Sequence, residues 1–178
     1  MSVLPFNQNQ ADAIRQLFIK TFTDSESETE GRLIGRLVQD IMTTTAPEDL
    51  YGFVAMEDNS ITGCIFFTRL KAAGAGKVFL LSPVAVHTDY QGKGTGQRLI
   101  RHGLDQLKAA GISLVITYGD PDFYGRTGFQ VVSDTTLKPP FSLSQPEGWL
   151  AQSLNGEPIR AMGGRLNCVA AFNNPALW

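Results

Sequence analysis

A glycine-rich hexapeptide, Gln91-Gly92-Lys93-Gly94-Thr95-Gly96, lies between an apolar strand pattern at 80–86 and an amphipathic helix pattern that ends near Gly111. Glycines let the backbone turn sharply and approach an anion without a Cβ in the way. The N–H groups in the first turn of a helix have no partner within the helix, and the helix dipole favours negative charge there. The segment from Gln91 to Gln97 is therefore predicted to bind a phosphate or diphosphate group through its backbone.

Two common nucleotide motifs do not fit this segment. A P-loop requires Ser or Thr directly after its lysine, whereas Lys93 is followed by Gly94. The dinucleotide fingerprint G-x-G-x-x-G fails in both registers, because the positions of its third glycine hold Gln97 and Leu99. A third pattern, Q-x-x-G-x-G, does fit the hexapeptide. A glycine-rich turn without any ligand is the alternative at this point.

A second motif, G-D-P-D-F-Y-G-R-T-G-F, occupies residues 119–129 and follows another apolar strand pattern. Asp120 is suited to cap a short helix, with Pro121 at its first position. Gly128 suits the left-handed conformation that often ends a helix, and a new strand pattern follows it. Tyr124 is the one side chain of this helix that combines an apolar ring with a hydroxyl group able to transfer a proton.

Together the two motifs resemble those of the GNAT superfamily of N-acetyltransferases. The pattern Q-x-x-G-x-G is similar to its acyl-coenzyme A loop, and Tyr124, Gly128 and Phe129 match its second motif, Y-x-x-x-G-F. The longer string is similar to that of a bacterial subfamily of predicted N-acetyltransferases with G-D-P-x-[FY]-Y-x-R-x-G-F. The resemblance covers residues 1–135. It implies an α/β (α+β) fold with a mixed, mostly antiparallel central sheet that is splayed at one parallel strand pair, with helices on both faces.

The resemblance also implies a set of site residues. Acetyl-CoA would be the acyl donor, with its diphosphate on the backbone of Gln91, Gly92, Lys93, Gly94, Thr95, Gly96 and Gln97. The backbone of Val84, Ala85 and Val86 would contact the pantetheine arm and the thioester, in a gap that opens near Pro83. Tyr124 would protonate the leaving thiolate, because a thiol has a pKa of ~8.5 and tyrosine one of ~10. The alternative for Tyr124 is simple packing between helix and sheet. Many GNAT members carry an Asn upstream of this tyrosine; this chain has Asp120-Pro121 instead, so any role of that Asn does not transfer.

The residue that deprotonates the amine is not identified by the sequence. Ser82 lies in the right strand but is a poor base alone. Candidates by type alone are Glu28, Glu30, Glu57 and Asp120, and the helix cap already explains Asp120. An acidic cluster of Asp24, Glu26, Glu28 and Glu30 either attracts a cationic amine or only favours the start of a helix. Lys93 either pairs with a phosphate or is solvated, and Arg98 and Arg101 lie near the proposed phosphate end.

Composition excludes several partner classes. The net charge is −2 and no basic block occurs, so nucleic acid is not an expected partner. No apolar run approaches the ~18 residues of a membrane span, so no membrane partner is expected. Cys64 and Cys168 lack metal-site spacing, so no metal is expected, and reduced cysteines without a signal-peptide pattern favour a cytoplasmic protein. By the resemblance, a homodimer is the oligomer to expect.

The hydrophobic pattern predicts the elements that position both motifs. Helices are expected at 9–22 and 28–43, with Ser27 and Glu30 as a capping box, and strands at 50–56 and 61–70. The length predicts one domain over residues 1–178, in which residues 136–178 form a β-rich C-terminal extension. Within the extension we expect a short helix at 147–154 and a last strand at 166–172.

The functional prediction is an acyl-CoA-dependent N-acyltransferase, which transfers acetyl from acetyl-CoA to a primary amine by direct attack in a ternary complex. The main alternative is a non-catalytic module that binds coenzyme A or acyl-CoA as a sensor or docking unit. A third reading is a structural adaptor whose glycine loop binds nothing.

Overall fold

The computed structural model describes residues 1–178, which form two compact units. The first unit comprises Met1–Phe66 and Pro83–Gly103, and the second comprises Phe67–Ser82 and Leu104–Trp178. The strands are β1 (Ser2–Pro5), β2 (Leu50–Glu57), β3 (Ser60–Ala73), β4 (Val78–Val86), β5 (Leu114–Tyr118), β6 (Gln130–Val131), β7 (Trp149–Ser153) and β8 (Gly163–Asn167). The α-helices are α1 (Ala11–Ser25), α2 (Glu28–Thr44), α3 (Thr95–Ala109) and α4 (Pro121–Gly125). The assignment of one domain over 1–178 with an extension at 136–178 remains a prediction.

Helix α2 begins at Glu28 as the sequence predicts, whereas α1 begins at Ala11 rather than at residue 9, after a 3-10 turn at Gln8–Gln10, and ends at Ser25 rather than at residue 22. Ser27 caps α2 by accepting a hydrogen bond from the Glu30 backbone N–H at 3.1 Å. Gly31 and Gly35 are unfavourable residues for a helix interior, at about 1 kcal/mol each relative to alanine. Close packing explains why glycine occupies these two positions, because a Cβ on Gly31 or Gly35 would overlap side-chain atoms of α1. The two glycines therefore let α2 approach α1 closely.

In the first unit, β1 pairs antiparallel with β2, and a tight turn joins β2 to β3. The turn residues Asp58 and Asn59 both have positive φ, of 49° and 60°, as expected for a two-residue hairpin. Gly63 of β3 lies under the start of α3, since a Cβ there would be 2.8 Å from Leu99 Cδ1 and 3.2 Å from the Ala85 carbonyl oxygen. The first turn of α3 is thus seated directly on the strands.

In the second unit, neighbouring strands follow the order β4-β5-β7-β6. The pair β4 and β5 is parallel, with Val78 opposite Leu114 and Leu81 opposite Thr117. The pairs β5 with β7 and β6 with β7 are antiparallel, and β8 pairs antiparallel with the end of β3. The predicted mixed, mostly antiparallel sheet with one parallel strand pair is confirmed.

Two predictions for the C-terminal segment are wrong. The segment 147–154 is not a helix: after a 3-10 turn at Pro146–Gly148 it forms β7, between β5 and β6. Its apolar run is short and buried, and such runs do not distinguish a helix from a central strand by period alone. The last strand is Gly163–Asn167 rather than 166–172, and Ala170–Phe172 is a 3-10 turn.

The two tryptophans of the second unit pack inside it. Trp149 is fully buried and donates its indole N–H to the Leu137 carbonyl oxygen at 2.8 Å. Trp178 donates its indole N–H to the Phe172 carbonyl oxygen at 3.1 Å and stacks on Tyr118. No helix of the chain has both the length and the apolar character that a membrane span requires.

Candidate active site

The glycine-rich loop ends in the N-terminus of α3, as the sequence predicts. The Arg98 N–H donates to the Gly94 carbonyl oxygen at 3.0 Å, so the first-turn N–H groups of Thr95, Gly96 and Gln97 have no acceptor within the helix. Gly92 and Gly94 have φ values of 71° and 79°. A Cβ on either glycine would meet no atom within 4 Å. The loop therefore presents an open backbone surface beside the positive end of a helix.

Side-chain hydrogen bonds fix this loop to the end of β4. Gln91 donates from Nε2 to the Val86 carbonyl oxygen at 3.0 Å, and Thr21 of α1 donates to the same oxygen at 3.4 Å. The buried Thr95 donates its hydroxyl to the Tyr90 carbonyl oxygen at 3.5 Å. The side chain of Gln91 thus holds the loop in place, which is a role that the motif alone does not reveal.

Lys93 lies over an aromatic ring of the loop. Its ammonium group is 5.1 Å from the centre of the Tyr90 ring, and the Tyr90 ring also meets the His87 ring edge to face at 5.8 Å. A cation over an aromatic face is attracted by about 0.5–1 kcal/mol at an exposed site. The lysine is therefore held at the loop by this contact, which neither sequence interpretation of Lys93 anticipated.

The backbone of β4 has a definite orientation next to the loop. The His87 N–H donates to the Thr62 carbonyl oxygen of β3 at 2.9 Å, and the Ala85 carbonyl oxygen lies beside Gly63 of β3. Because backbone polar groups alternate between the two edges of a strand, those of Val84 and Val86 are directed away from β3. Among the three residues predicted to contact pantetheine, this geometry favours Val84 and Val86 over Ala85.

Tyr124 lies in the second unit, on the short helix α4. Asp120 caps α4 by accepting a hydrogen bond from the Asp122 N–H at 2.9 Å, as predicted. The tyrosine side chain is buried and packs edge to face against Phe129 at 5.8 Å. Its ring also covers Gly119, where a Cβ would be only 2.7 Å from Tyr124 Cε2. The second motif therefore packs against itself, through the side chains of Tyr124 and Phe129 and the backbone of Gly119.

The environment of Tyr124 keeps its hydroxyl protonated. Burial raises the pKa of Tyr124 to about 12, the hydroxyl group of Thr117 opposes the shift, and the charge of Asp120 adds to it. Thr117 is fully buried and donates its own proton to the Leu81 carbonyl oxygen at 2.9 Å. A tyrosine with this pKa is a proton donor at neutral pH and is not a base. The sequence analysis did not identify Thr117 as a neighbour of Tyr124. Its position becomes evident only from the parallel pairing of β4 with β5, in which Thr117 lies opposite Leu81.

This pKa shift gives a testable spectroscopic prediction. We expect one of the four tyrosines to form phenolate only near pH 12, and we expect that late step to disappear in Tyr124→Phe. Because the unfolded pKa is ~10, the free energy of unfolding should fall as pH rises from about 10 through 12. Ultraviolet titration of phenolate, with the wild type and the variant followed in parallel, tests this prediction. A titration in which Tyr124→Phe loses an early step would contradict it.

The acidic residues near the end of α1 are occupied by structural contacts. Asp24 Oδ2 accepts hydrogen bonds from Lys20 Nζ at 2.8 Å and from the Thr88 hydroxyl at 2.7 Å. The hydrogen bond from Lys20, followed by that from Thr88, lowers the pKa of Asp24. Within α2, the Glu28 carboxylate oxygen Oε2 lies 3.6 Å from the Arg32 guanidinium nitrogen Nη2. Asp24 and Glu28 therefore have structural partners, and Glu28 and Glu30 lie in the first turn of α2, as the helix-start interpretation expects.

The structure brings most of the predicted site residues together. The loop residues 91–97 and the strand residues 84–86 all belong to the first unit. Tyr124 belongs to the second unit, where Gly119 and Thr117 surround it. No group of three or more His, Cys, Asp or Glu residues is arranged to hold a metal ion.

Comparison with known proteins places these features in a family. Residues 48–131, which include both motifs, match the acetyltransferase (GNAT) domain family. The uncharacterized N-acetyltransferase YjhQ of Escherichia coli (strain K12) is 29% identical over 177 residues, which cover 96% of this chain and 93% of that protein. The uncharacterized N-acetyltransferase YhbS of the same strain is 31% identical over 115 residues, covering 64% of this chain and 65% of that protein.

Solved structures agree with the sequence relatives. The crystal structure of the Escherichia coli GNAT family N-acetyltransferase YhbS in complex with CoA superposes with a TM-score of 0.79 at 25% identity, covering 97% of this chain and 92% of that one. A GNAT family acetyltransferase from Brucella melitensis in complex with acetyl-CoA gives a TM-score of 0.69 at 25% identity, covering 97% of each chain. In its motifs, its fold and these relatives, this chain is similar to N-acetyltransferases of the GNAT superfamily, and the match to the GNAT domain family covers residues 48–131.

Proposed function

We propose that this protein is an acyl-CoA-dependent N-acetyltransferase, which transfers acetyl from acetyl-CoA to a primary amine by direct attack in a ternary complex. The observation that carries the proposal is the open glycine loop at the start of α3, with first-turn N–H groups of Thr95, Gly96 and Gln97 that have no acceptor within the helix. Two of the structural relatives were solved with CoA or acetyl-CoA. Their agreement in fold supports the same donor here.

The donor would be held by backbone groups of the first unit. The N–H groups of the loop suit the diphosphate, because they cluster at the positive end of α3, where the space around Gly92 and Gly94 is open. The Val86 carbonyl oxygen already accepts hydrogen bonds from Gln91 and Thr21. We therefore assign the contacts with the pantetheine amides mainly to the backbone of Val84.

The reaction joins the amine nitrogen to the carbonyl carbon of the thioester and releases coenzyme A as a thiol. The neutral amine attacks, a C–N bond forms, and the carbonyl oxygen becomes negative in the tetrahedral intermediate. A backbone N–H of Val84 or Val86 would stabilise that oxygen, a contribution that reaches about 3–4 kcal/mol in other enzymes. The C–S bond then breaks, the sulfur accepts a proton, and water or a side chain takes the excess proton of the amine.

Tyr124 would supply the proton that the sulfur accepts, and the proton released by the amine would restore the Tyr124 hydroxyl group through water. Its pKa of about 12 keeps the hydroxyl group protonated at neutral pH, and the thiolate of coenzyme A would gain a strong hydrogen bond as the C–S bond breaks. Thr117 donates its only proton to the Leu81 carbonyl oxygen, and its hydroxyl group lies beside that of Tyr124. The geometry of the second unit thus fits a neutral proton donor.

The cysteines fit a reducing compartment, which supports the expectation of a cytoplasmic enzyme. Both are free, and burial raises the pKa of the Cys64 thiol well above its usual value. Cys64 is therefore not a nucleophile, which supports direct transfer over a cysteine-linked intermediate. A homodimer remains a prediction.

The decisive experiment measures binding and turnover separately. We expect isothermal titration with acetyl-CoA to give saturable binding, and a screen of primary amines to give release of free thiol with at least one acceptor. Binding without turnover across small-molecule and peptide amines would favour the sensor or docking module. Absence of any binding would favour the structural adaptor and would overturn the proposal.

A further inference from the structure

We propose that Asp24 is a positioning residue for the donor loop: it holds the turn before the loop in its binding conformation through Thr88 and Lys20. We call these three residues the Asp24 clasp. The inference rests on the proposed function, because it concerns the loop that would bind acetyl-CoA. It assigns to Asp24 a role in donor affinity and none in the chemical step.

The geometry of the clasp joins two elements that are distant in sequence. Asp24 lies in the last turn of α1, and Thr88 begins the 3-10 turn Thr88–Tyr90 that follows β4. One carboxylate oxygen, Oδ2 of Asp24, accepts both the Thr88 hydroxyl at 2.7 Å and the Lys20 ammonium group at 2.8 Å. These are short, charge-assisted hydrogen bonds, which are stronger than neutral ones.

Within α1, Asp24 pairs with Lys20, but its position in the last turn is unfavourable for a carboxylate. A negative charge near a helix C-terminus is opposed by the helix dipole. The pair with Lys20 also has the less favourable order, because the acid follows the base by four residues. The local cost is offset by the contact with Thr88, which points to a tertiary role for the carboxylate.

The clasp is coupled to the diphosphate loop through a few short links. The 3-10 turn that begins at Thr88 ends at Tyr90, whose carbonyl oxygen accepts a hydrogen bond from the Thr95 hydroxyl in the first turn of α3. Thr21, one turn before the end of α1, donates to the Val86 carbonyl oxygen, which also holds Gln91. The end of α1 thus fixes the segment from Val86 to Thr95 at two points.

Loss of the clasp should act on donor binding by lowering the fraction of molecules in which the loop is correctly placed. Apparent affinity falls in proportion to that fraction. We expect Asp24→Ala to raise the KM and the dissociation constant for acetyl-CoA about three- to tenfold, which corresponds to the loss of one or two hydrogen bonds to a charged group at a partly exposed site. We expect kcat at saturating acetyl-CoA to stay within about twofold of wild type, since uniform binding affects KM alone.

The test uses the full chain and a double-mutant cycle. Asp24→Ala, Thr88→Val and the double variant are compared by isothermal titration with acetyl-CoA and by steady-state kinetics. If Asp24 acts through Thr88, the double variant should bind acetyl-CoA as tightly as the single variant that has the lower affinity. Asp12→Asn is the matched control, because it removes one exposed acidic charge from the same helix far from Thr88. Asp24→Asn keeps an acceptor oxygen for Thr88 and should recover part of the affinity.

The outcomes separate this inference from the proposed function. If the wild type does not bind acetyl-CoA, the proposed function fails. If the wild type binds and Asp24→Ala binds equally well, the proposed function stands and the clasp is overturned. Additive losses in the double variant, or a fall in kcat with KM unchanged, would also overturn the clasp. Thermal unfolding of each variant verifies that the chain is folded at the assay temperature.

Discussion

Replacement of Tyr124 with phenylalanine is expected to lower kcat by about 100- to 10,000-fold, which is the usual contribution of a positioned general acid. The dissociation constant for acetyl-CoA should change little. The phenyl ring can keep the contacts with Phe129 and Gly119, so only the hydroxyl group is lost. Without that hydroxyl, the leaving thiolate must take its proton from water.

Steady-state kinetics and isothermal titration on the same preparations measure the two effects. Tyr118→Phe is a suitable control, because it removes another hydroxyl group from the second unit. The Tyr118 hydroxyl accepts the Gln145 N–H at 2.8 Å and lies 2.9 Å from Ser144 Oγ, so its loss should affect the stability of the tail and leave turnover intact. Wild-type kcat in Tyr124→Phe would contradict the catalytic role of Tyr124.

Substitution of Gly94 with alanine is expected to weaken acetyl-CoA binding about 100-fold, if two hydrogen bonds to the diphosphate, each worth about 1.5 kcal/mol, are lost. In the free protein the new Cβ would meet no atom within 4 Å. The packing of the protein therefore does not require glycine at this position. The remaining reasons for glycine are its φ of 79° and the close approach of a ligand.

Gly156→Ala separates these two reasons. Gly156 has a φ of 78° and equally open space around its Cα, so both variants carry the same backbone strain of about 1–2 kcal/mol. We expect similar losses of thermal stability in the two variants and a loss of acetyl-CoA affinity in Gly94→Ala alone. Equal affinity of both variants in isothermal titration would show that the diphosphate does not lie against Gly94.

The features that local sequence dictates were predictable. The start of α3 after two glycines, the Asp120 cap with Pro121 behind it, and the Ser27 cap of α2 each depend on residues within one turn of one another. Local rules of dihedral angle and hydrogen bonding decide such features. The single parallel pair, β4 with β5, also followed from the order of strand and helix patterns along the chain.

The features that depend on distant contacts were not predictable. The short apolar run of β7 carries no period that distinguishes a strand from a helix, and only its neighbours β5 and β6 decide the matter. Thr117 is recognisable as the neighbour of Tyr124 only from the three-dimensional packing. The contact between Asp24 and Thr88 spans 64 residues, so a single sequence gives no sign of it.

The insertion of β7 between β5 and β6 has a consequence for how the chain matures during translation. The family match ends at residue 131, before β7 begins. Strand β7 nevertheless pairs with both β5 and β6, and β5 leads directly into the motif that carries Tyr124. A ribosome that has synthesised only the matched region exposes the edge of β5 to other nascent chains. Activity should therefore begin only after the chain has emerged beyond residue 153.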